Sequence, residues 1–379
     1  MKTPSLPAPV SRRRFIGQLS AAAAAISLMP RLGLAADGPK PAKKLGIALV
    51  GLGNYSTDEL APAIGQSQHW RLAGVVTGSP EKGKRWAQRH AFPQRNILGY
   101  ETMARLADCP DIDVVYVVTP NALHAEHCIA AAGAGKHVIT EKPMATSVAD
   151  CDAMIAACRG AGVRLMVGYR LHYEPHTAEF CRLARERTFG PFMRMKGSNS
   201  FDMGDPDPAD YNWRVNKKLA GGGPLMDMGV YVIQAACMAK AEEAPVAVTG
   251  KFGPVTRPRL FAQVEQSISW TMEFADGALA DCETSYAEQV SLFEATAAHG
   301  WARLEDPAFY YDEPLLTTSR GVVDLPKVNH QLAQLDAMAA EILTGSPSLA
   351  PGEMGRRDIA IVKAIYAAAA SGQRTEVKV

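Results

Sequence analysis

The sequence predicts an amino-terminal α/β domain with helices on both faces of a parallel sheet, followed by an α+β domain with an open-faced, mainly antiparallel sheet. Two observations predict this division. Apolar runs of strand length alternate with helical stretches up to about residue 168, which is the pattern of parallel strands joined by right-handed crossovers. Beyond that point the strands are longer and alternate apolar with polar residues, which is typical of an antiparallel sheet.

The elements of the first domain follow from apolar periodicity and from the residues that begin and end helices. Strands are predicted at residues 45–50, 70–77, 114–119, 137–140 and 164–169. Helices are predicted between them at residues 60–66, 80–90, 101–107, 124–134 and 148–160. The second strand ends in a β-branched run, which is typical of a strand buried on both faces.

The second domain is predicted to contain longer strands and a few helices. Strands are predicted at residues 192–201, 247–252, 264–274 and 278–284, and late helices at 330–343 and 356–370. Another helix is expected to begin at Pro224, directly after three glycines. We assign residues 45–168 to the first domain and 169–379 to the second, and we expect the late helices to pack back on the first domain.

The composition limits the kinds of partner. Of 379 residues, 40 are Lys or Arg and 39 are Asp or Glu, so no overall field attracts nucleic acid or anionic lipid. The seven cysteines lie far apart without a C-x-x-C pair, and an odd number cannot all pair within one chain. We therefore expect buried thiols, no metal site, and small molecules as ligands.

The first 36 residues have the features of an export leader. Arg12 and Arg13 precede a modest apolar run at residues 15–29, and small residues follow it, as in a twin-arginine signal. A membrane-anchoring or amphipathic helix is the alternative, but the run is short and Ala-rich for spanning roughly 30 Å of hydrocarbon. The leader predicts a periplasmic protein exported in the folded state and free of the membrane afterwards. Residues 37–44 are predicted to be a flexible arm.

A glycine pair follows the first predicted strand. Gly51 and Gly53 lie between this strand and a helix, where a turn without side chains lets a pyrophosphate approach the helix amino end. Ser56 stands where a third glycine is usual, and the pair alone also fits an ordinary strand-to-helix turn. The parallel context favours a dinucleotide-binding Rossmann domain.

The end of the second strand indicates which dinucleotide is bound. NAD sites usually carry an acidic residue there, and this strand ends in Thr77 and Ser79 without one. These two hydroxyls, with Lys82 and Arg85, could hold a 2′-phosphate, so NADP is favoured. The alternative is that Lys82 and Arg85 form a solvated helix face.

Polar residues also follow two further strands, at the sheet edge where ligands bind in doubly wound folds. Thr119, Pro120 and Asn121 come after one strand, and Glu141 and Lys142 after the next. Lys142 precedes a proline and is expected at the mouth of a nicotinamide cleft. The alternative is a surface ion pair of little energetic value.

Two histidines lie three residues apart on a predicted helix. His124 and His127 could suggest a metal site, but no third ligand is near them in the sequence. We expect a helix-start contact for His124 and a structural role for His127.

The helix after the three glycines carries two candidate catalytic groups. Asp227 and Tyr231 are four residues apart and therefore share one helix face. Both also fit core or capping roles, since an acid in the first helical turn is favoured by the helix dipole. Oxidation of a sugar hydroxyl needs a base near the proton and a cation that makes a phenolate accessible, and Tyr231 with Lys142 meets that need.

Several of these motifs occur together in a family-specific order. The G-x-G turn, "TPN" with a following His, "EKP", "GYRLHY", "WR" and "AGGGPLMDMGVY" resemble the Gfo/Idh/MocA family, closest to its glucose–fructose oxidoreductase branch. The resemblance extends from about residue 45 to the carboxyl terminus. It implies an NADP-binding Rossmann domain, an open-faced antiparallel sheet, and an exported enzyme that holds its nucleotide tightly.

The resemblance also implies roles for individual residues. It places the catalytic lysine at Lys142 and the acid and tyrosine at Asp227 and Tyr231. Many relatives carry His at the position of Tyr231, so the tyrosine points to the sugar–sugar branch. The implied nucleotide contacts are Gly51, Gly53, Asn54, Tyr55, Thr77, Lys82, Pro120, Asn121, His124, Glu141, Arg170, Trp213 and Arg214.

The expected function is that of a periplasmic NADP-dependent sugar oxidoreductase of the aldose–aldose or glucose–fructose type. By a ping-pong mechanism it would oxidise an aldose to an aldonolactone and reduce a second sugar to an alditol. Two alternatives stay open: a glycoside hydrolase of the same superfamily and a non-catalytic sugar or redox sensor. The arm is shorter than in the best-known relative, so we expect a homodimer, formed through an open apolar sheet face.

Overall fold

The computed structural model of the chain describes residues 44–206, 213–311 and 314–379. The predicted leader, and the predicted arm except its last residue, lie outside the described residues. In the described part of the chain, no helix is both long and apolar enough to cross a membrane.

The first sheet is parallel, as predicted. Its strands are β1 (Leu45–Val50), β2 (Trp70–Val76), β3 (Ile97–Leu98), β4 (Val114–Val117), β5 (His137–Thr140) and β6 (Leu165–Val167). They lie in the order β3-β2-β1-β4-β5-β6, with every pair parallel. The strand order reverses next to β1, so the turns after β1 and β4 diverge and leave a crevice at the carboxyl edge. Strand β3 was not predicted because two residues are too few to show periodicity.

Helices cover both faces of this sheet. They are α1 (Ala61–Gln66), α2 (Pro80–His90), α3 (His124–Gly133) and α4 (Val148–Gly160). A π-helical turn, Tyr55–Leu60, leads into α1. The stretch predicted as a helix at 101–107 is a 3₁₀ helix, Tyr100–Asp108, because the backbone of Thr102 is not helical. The hydroxyl of Thr102 instead bonds to the backbone of Gly99.

The second sheet has nine strands and is mainly antiparallel, which confirms the predicted fold class. The strands are β7 (Arg194–Ser200), β8 (Ala247–Phe252), β9 (Ser267–Glu273), β10 (Leu279–Ser285), β11 (Val290–Ala297), β12 (Gly300–Leu304), β13 (Leu316–Thr318), β14 (Gly321–Val323) and β15 (Thr375–Glu376). Their order is β14-β13-β12-β11-β7-β10-β9-β8-β15, and only β7 and β10 run parallel among these pairs. Strands β11 to β15 were not predicted.

The helices of the second domain lie on the inner face of this sheet or against the first domain. They are α5 (Pro175–Arg185), α6 (Lys217–Ala220), α7 (Val230–Ala239), α8 (His330–Thr344) and α9 (Gly352–Ser371). Short 3₁₀ turns span Arg170–Tyr173 and Trp213–Val215, and a π-helical turn, Leu225–Gly229, leads into α7. Every residue of α7 is buried, so this helix is fixed on all sides.

Helix α8 ties the end of the chain to the parallel sheet. The indole nitrogen of Trp70, the first residue of β2, donates to the carbonyl of Leu335 at 2.7 Å. The hydroxyl of Ser67 bonds to the carboxylate of Asp336. Both bonds hold the middle of α8 beside the turn between α1 and β2, at the amino end of β2.

The open face of the second sheet is mainly polar, with Leu292 and Trp301 half-buried on it, so the expectation of an apolar face is not met over most of its area. Lys196, Thr249, Lys251, Asp281 and Glu283 point outward and are exposed. The alternate residues of the strands, such as the buried residues of β9 and β11, face inward and form the core. The alternating pattern leaves charged side chains on the solvent side, as is usual for an antiparallel sheet with one face in water.

The cysteines are buried and unpaired, as predicted. All seven are free thiols. Burial raises the pKa of Cys151 and Cys181 to about 12, so both stay protonated at neutral pH and are poor nucleophiles.

Candidate active site

A cleft of about 790 Å³ opens at the carboxyl edge of the parallel sheet. One wall comes from the turns after β1, β4 and β5, and the other comes from the second domain. Most of the predicted site residues line it: Gly53, Asn54, Tyr55, Thr119, Asn121, His124, Glu141, Lys142, Arg170, Trp213, Arg214, Asp227 and Tyr231. The fold thus brings together predicted residues as far apart in the chain as Gly53 and Tyr231.

The glycine turn has the geometry of a phosphate cradle. Gly51 has a φ of +91°, and a Cβ on it would lie 2.9 Å from the carbonyl oxygen of Val118. A Cβ on Gly53 would meet nothing within 4 Å, so the space above the turn is open. The hydroxyl of Ser56 donates to the carbonyl of Gly51 at 2.7 Å and thereby stabilises the turn where a third glycine is usual. The turn therefore fits a pyrophosphate.

The residues predicted to hold a 2′-phosphate lie beside this turn, with one exception. The hydroxyl of Thr77 accepts from the backbone N–H of Ser79 at 3.2 Å, and the Ser79 hydroxyl caps α2. The ammonium of Lys82 donates to the carbonyl of Leu52 within the glycine turn. No acid stands at the end of β2, so these groups fit a 2′-phosphate. Arg85 is exposed and lines a separate surface groove.

Several residues expected to contact the nucleotide are engaged with the protein itself. The side-chain amide of Asn121 donates to the carbonyl of Ala220 at 2.9 Å and so joins the two domains. Pro120 begins the 3₁₀ turn that contains Asn121. The two ring nitrogens of His124 lie 2.7 Å from the carbonyl oxygen of Thr119 and 3.0 Å from that of Pro143. His124 thus connects the turns after β4 and β5.

The protonation of the two histidines follows from their surroundings. Burial lowers the pKa of His124 to about 4, so its ring is neutral at pH 7. The Nδ1 of His127 lies 3.1 Å from the hydroxyl of Thr119, and its ring stacks on that of Tyr100. Within the described residues, no group of His, Cys, Asp or Glu side chains is arranged to hold a metal ion.

The centre of the cleft is an ion pair beside a phenol. The ammonium of Lys142 donates to the Asp227 carboxylate at 3.2 Å and to the Asp227 carbonyl at 2.8 Å. It also lies 4.6 Å from the centroid of the Tyr231 ring. Burial lowers the pKa of Lys142, but the neighbouring Tyr231 and Asp227 raise it more, so the net shift is upward. Lys142 is therefore a cation at every pH near neutrality.

Asp227 is held by two further groups. Its second carboxylate oxygen accepts from Arg214 at 2.9 Å and from the hydroxyl of Tyr286 at 3.0 Å. Burial works to raise the pKa of Asp227, but Lys142 and Arg214 outweigh it and hold that pKa far below its ordinary value. Tyr286 was missed because it follows β10 like any other strand-end residue, with no motif around it.

Glu141 positions the backbone that carries Lys142. One carboxylate oxygen accepts from the Tyr116 hydroxyl at 2.7 Å, and the other accepts from the Lys142 backbone N–H at 3.1 Å. The Tyr116 hydroxyl in turn accepts from Gln334 of α8 at 3.0 Å. Burial raises the pKa of Glu141. Its oxygens are used within the protein.

Arg170 lies on the second-domain side of the cleft. Its guanidinium donates to the carbonyl oxygens of Phe309 and Tyr310 and to Nδ1 of His330. The guanidinium carbon is 4.5 Å from the centroid of the Tyr311 ring. None of these contacts involves the glycine turn, whereas the resemblance implied a nucleotide contact.

Aromatic side chains form the outer wall. The guanidinium carbon of Arg214 lies 4.9 Å from the Trp213 ring centroid. Phe309, Tyr310 and Tyr311 line the opposite side, and the Tyr311 ring lies 6.3 Å from that of Tyr55. These three residues were missed, although three successive aromatic residues in a loop between strands are a visible signal.

The glycine run before α7 allows a close approach that positions Asp227. A Cβ on Gly223 would lie 2.3 Å from the carbonyl oxygen of Glu265, and a Cβ on Gly222 would lie 2.0 Å from the Tyr366 hydroxyl. The carboxylate of Glu265 accepts from the backbone N–H groups of Gly223 and Leu225 at 3.0 and 3.2 Å. Only residues without a side chain fit between this turn and Glu265.

The chain matches two family models that together cover most of the described residues. A model described as an oxidoreductase family with an NAD-binding Rossmann fold matches residues 45–169. A model described as the GFO/IDH/MocA C-terminal domain matches residues 178–303.

Individual proteins are similar over nearly the whole chain. A crystal structure of aldose-aldose oxidoreductase from Caulobacter crescentus is 38% identical, with a TM-score of 0.83, and the match covers 88% of this chain and 100% of that one. D-xylose 1-dehydrogenase (NADP(+)) of Haloarcula marismortui is 28% identical over 328 residues, which is 85% of this chain and 90% of that protein. A structure of levoglucosan dehydrogenase with NADH and levoglucosan has the same fold at 22% identity and a TM-score of 0.76, with 89% of this chain and 100% of that one covered.

The close approach at Gly223 generates a first prediction. We expect Gly223→Ala to lower the free energy of unfolding by about 1–3 kcal/mol, because its Cβ would overlap a backbone carbonyl. Gly65→Ala in α1 is the matched control, since a Cβ there meets nothing within 4 Å, and we expect no loss of stability. Urea unfolding measures both. Equal stability of the two variants would contradict the argument.

The neutral His124 generates a prediction about pH. Its folded pKa of about 4 lies below its ordinary value of 6.5, so the unfolded chain binds a proton that the folded protein does not. Stability from this group is therefore complete above pH 6.5 and is lost as the pH falls towards 4, by about 2 kcal/mol at pH 5.

We expect His124→Gln to reduce the difference in unfolding free energy between pH 5 and pH 8 by about that amount, about 2 kcal/mol. His299→Gln is the control, because His299 is exposed. Denaturant unfolding at the two pH values tests this, and an unchanged difference in His124→Gln would refute it.

Proposed function

The chain belongs to the GFO/IDH/MocA oxidoreductase family, and from this premise we propose that it is an NADP-dependent sugar oxidoreductase that oxidises one aldose and reduces a second sugar. The observation that carries the proposal is the meeting of Lys142, Asp227 and Tyr231 in one cleft, beside a glycine turn that fits a pyrophosphate. The names of two relatives, an aldose-aldose oxidoreductase and an NADP-dependent xylose dehydrogenase, support the choice of aldoses and of NADP.

The residues around the cleft fit this cofactor. The open space above Gly53 would receive the pyrophosphate, and Thr77, Ser79 and Lys82 would hold the 2′-phosphate. Lys142 and Tyr231 lie where the nicotinamide end would face the second domain. When bound, the nicotinamide supplies hydride transfer, accepting a hydride in one half-reaction and giving it back in the other.

The protein's own residues handle the proton. In the first half-reaction the Tyr231 oxygen removes the proton from the C1 hydroxyl of an aldose, which loses a hydride from the same carbon and becomes an aldonolactone. In the second half-reaction Tyr231 returns a proton to the carbonyl oxygen of an open-chain sugar, which also gains a hydride and becomes an alditol. The Lys142 ammonium, 4.6 Å from the ring, favours the phenolate that the first step needs.

Asp227 acts through Lys142. Its carboxylate fixes the ammonium at 3.2 Å, and Arg214 and Tyr286 fix the carboxylate. The ammonium is thereby held close to the phenol ring in both half-reactions. Glu141 and Tyr116 position the same lysine from the backbone side.

We further propose that the protein is exported folded by the twin-arginine route and works in the periplasm with its cofactor retained. The residues of the leader support this proposal. The seven buried free thiols also support it, because their burial would protect them from oxidation in an oxidising compartment. Because free nicotinamide nucleotide is scarce outside the cytoplasm, regeneration of the bound molecule by a second sugar suits that location.

We also propose a homodimer formed through the open face of the second sheet by polar contacts. Lys196 and Lys251 lie on the same face as Asp281 and Glu283. A two-fold axis sets such a patch against itself, so that charges of opposite sign can pair.

Removal of the Tyr231 hydroxyl tests its role. We expect Tyr231→Phe to keep its nucleotide and its fold, because the ring still packs against Phe309 at 6.1 Å, but to lose turnover by about 10²–10⁴-fold. Nucleotide content and steady-state rates measure the two effects. Tyr173→Phe is the control for hydroxyl loss, because Tyr173 lies outside the cleft lining and its hydroxyl contacts Glu341. Turnover preserved in Tyr231→Phe would reject the assignment.

The reaction itself is tested on purified full-length protein. We expect denaturation to release NADP, and a single aldose to produce the near-ultraviolet absorbance of a reduced nicotinamide. A second sugar should then remove this absorbance, with lactone and alditol formed in equal amounts.

Two other results would favour the alternatives. Release of nitrophenol from a nitrophenyl glycoside without net lactone would indicate a hydrolase. A bound cofactor that no aldose reduces would indicate a sensor.

A further inference from the structure

In the part of the chain that the structure describes, the buried cation Arg170 has no carboxylate among its hydrogen-bond partners. Arg170 is 2% exposed and lies at the start of the 3₁₀ turn after β6. It donates to the main-chain oxygens of Phe309 and Tyr310 and to the imidazole of His330 at 2.6 Å. Within the described residues its Nε has no hydrogen-bond partner.

A buried cation without a carboxylate partner needs another source of stabilisation. The faces of two phenol rings supply part of it: the guanidinium carbon lies 4.5 Å from the Tyr311 centroid and 5.5 Å from the Tyr231 centroid. Burial lowers the pKa of Arg170, but the phenols of Tyr231 and Tyr311 outweigh it and raise that pKa. Arg170 is thus electrostatically linked to Tyr231.

The second cation beside Tyr231 is compensated. Lys142 is paired with the Asp227 carboxylate at 3.2 Å, so the field of its charge at the phenol is partly cancelled. Arg170 has no carboxylate among its hydrogen-bond acceptors in the described residues, although the buried Glu141 acts on it through space. Of these two cations, Arg170 is the one that is not ion-paired with Asp227.

We propose that Arg170 is a positioning residue for Tyr231: its charge stabilises the phenolate that removes the proton from the aldose hydroxyl. Its bonds to the carbonyls of Phe309 and Tyr310 also hold the aromatic loop beside the same ring. This inference rests on the proposed function. It adds a role for Arg170 beside the nucleotide contact that the resemblance implied, which remains a prediction.

The charged and titratable groups that surround the Tyr231 phenol set the background for this effect. They are Lys142, Arg214, Asp227, Glu141, Tyr55 and Tyr311, with His330 behind Arg170. Lys142 and Arg214 are both bonded to the Asp227 carboxylate, so removal of the Arg170 charge leaves two paired cations to favour the phenolate.

The proton balance is simple. In the oxidation half-reaction the aldose hydroxyl proton moves to the Tyr231 phenolate, and the neutral phenol results. In the reduction half-reaction the phenol gives the proton to the new alditol hydroxyl, and the phenolate is restored beside Arg170.

The test compares Arg170→Gln with Arg170→Lys. The rate of bound-cofactor reduction by saturating aldose is measured from about pH 6 to about pH 10. We expect the rising limb of the profile to move to higher pH by about one unit or more in Arg170→Gln, because a cation within about 6 Å is removed. Arg170→Lys should keep the limb within about half a unit of its original position, since the charge remains.

A second measurement does not depend on activity. The absorbance of tyrosinate is titrated in each background with and without Tyr231→Phe, and the difference isolates the ionisation of Tyr231. We expect Arg170→Gln to move this ionisation to higher pH in the same direction as the rate profile, and Arg170→Lys to leave it nearly unchanged. If only Arg170→Lys folds, the expected result is that Tyr231 ionises in this variant at nearly the same pH as in the unsubstituted protein.

Three outcomes would overturn the inference. The first is a rate that falls equally at every pH in Arg170→Gln, as for a merely structural residue. The second is loss of bound nucleotide with an unmoved profile, as for a nucleotide ligand. The third is an equal shift in the glutamine and lysine variants. If none of the aldoses reduces the bound cofactor of the unsubstituted enzyme, the proposed function has failed instead. The tyrosinate titration then still tests the effect of Arg170 on Tyr231.

Discussion

The site depends on one buried ion pair, between Lys142 and Asp227. The lysine follows β5 in the first domain and the aspartate lies in the turn before α7 in the second, and both side chains are only 13% exposed. Burying two charges costs more than their attraction returns unless the remaining oxygens and protons are also satisfied. Arg214 and Tyr286 satisfy the carboxylate, and the Asp227 carbonyl takes a further bond from Lys142. The pair therefore fastens the two walls of the cleft to each other at its centre.

The other contacts across the domains serve the same geometry. Asn121 bonds to Ala220, and Gln334 reaches Tyr116, which bonds to Glu141. Asn121 and Glu141 lie in the cleft lining, yet their hydrogen bonds fix the backbone. In a Rossmann domain such side chains are available for structural hydrogen bonds, because the phosphates are bound mainly by backbone N–H groups in the space left by glycines. A residue that borders the nucleotide need not bind it.

The sequence predicted elements and motifs whose residues lie close together in the chain. It did not predict contacts between residues that are distant in the chain. Periodicity predicted the parallel sheet, and the pairs Gly51–Gly53 and Asp227–Tyr231 are each close enough in sequence to show a shared turn or helix face. Tyr286 and the aromatic loop reach Asp227 and Tyr231 only through the pairing of β7, β10 and β11, which no short window contains. The outer sheet face was misjudged for a related reason. Most large apolar residues of these strands, such as Trp270 and Phe293, face inward, so they make the strands look apolar in the sequence. The residues between them are mostly polar, and these are the ones that face the solvent.

The two cations near Tyr231 suit a reaction that runs in both directions at one site. If the site stabilised the phenolate form of Tyr231 too strongly, that phenolate would be too weak a base to remove the proton from the aldose. If it stabilised the phenol form too strongly, the phenol would be too weak an acid to give a proton to the second sugar. Asp227 partly neutralises the charge of Lys142, whereas Arg170 has no carboxylate among its hydrogen-bond partners in the described residues. The two cations lie 4.6 and 5.5 Å from the Tyr231 ring centroid, and their burial lets each charge act there with less screening than in water. Partial neutralisation by a fixed carboxylate is thus a means of setting how readily the phenol gives and takes one proton.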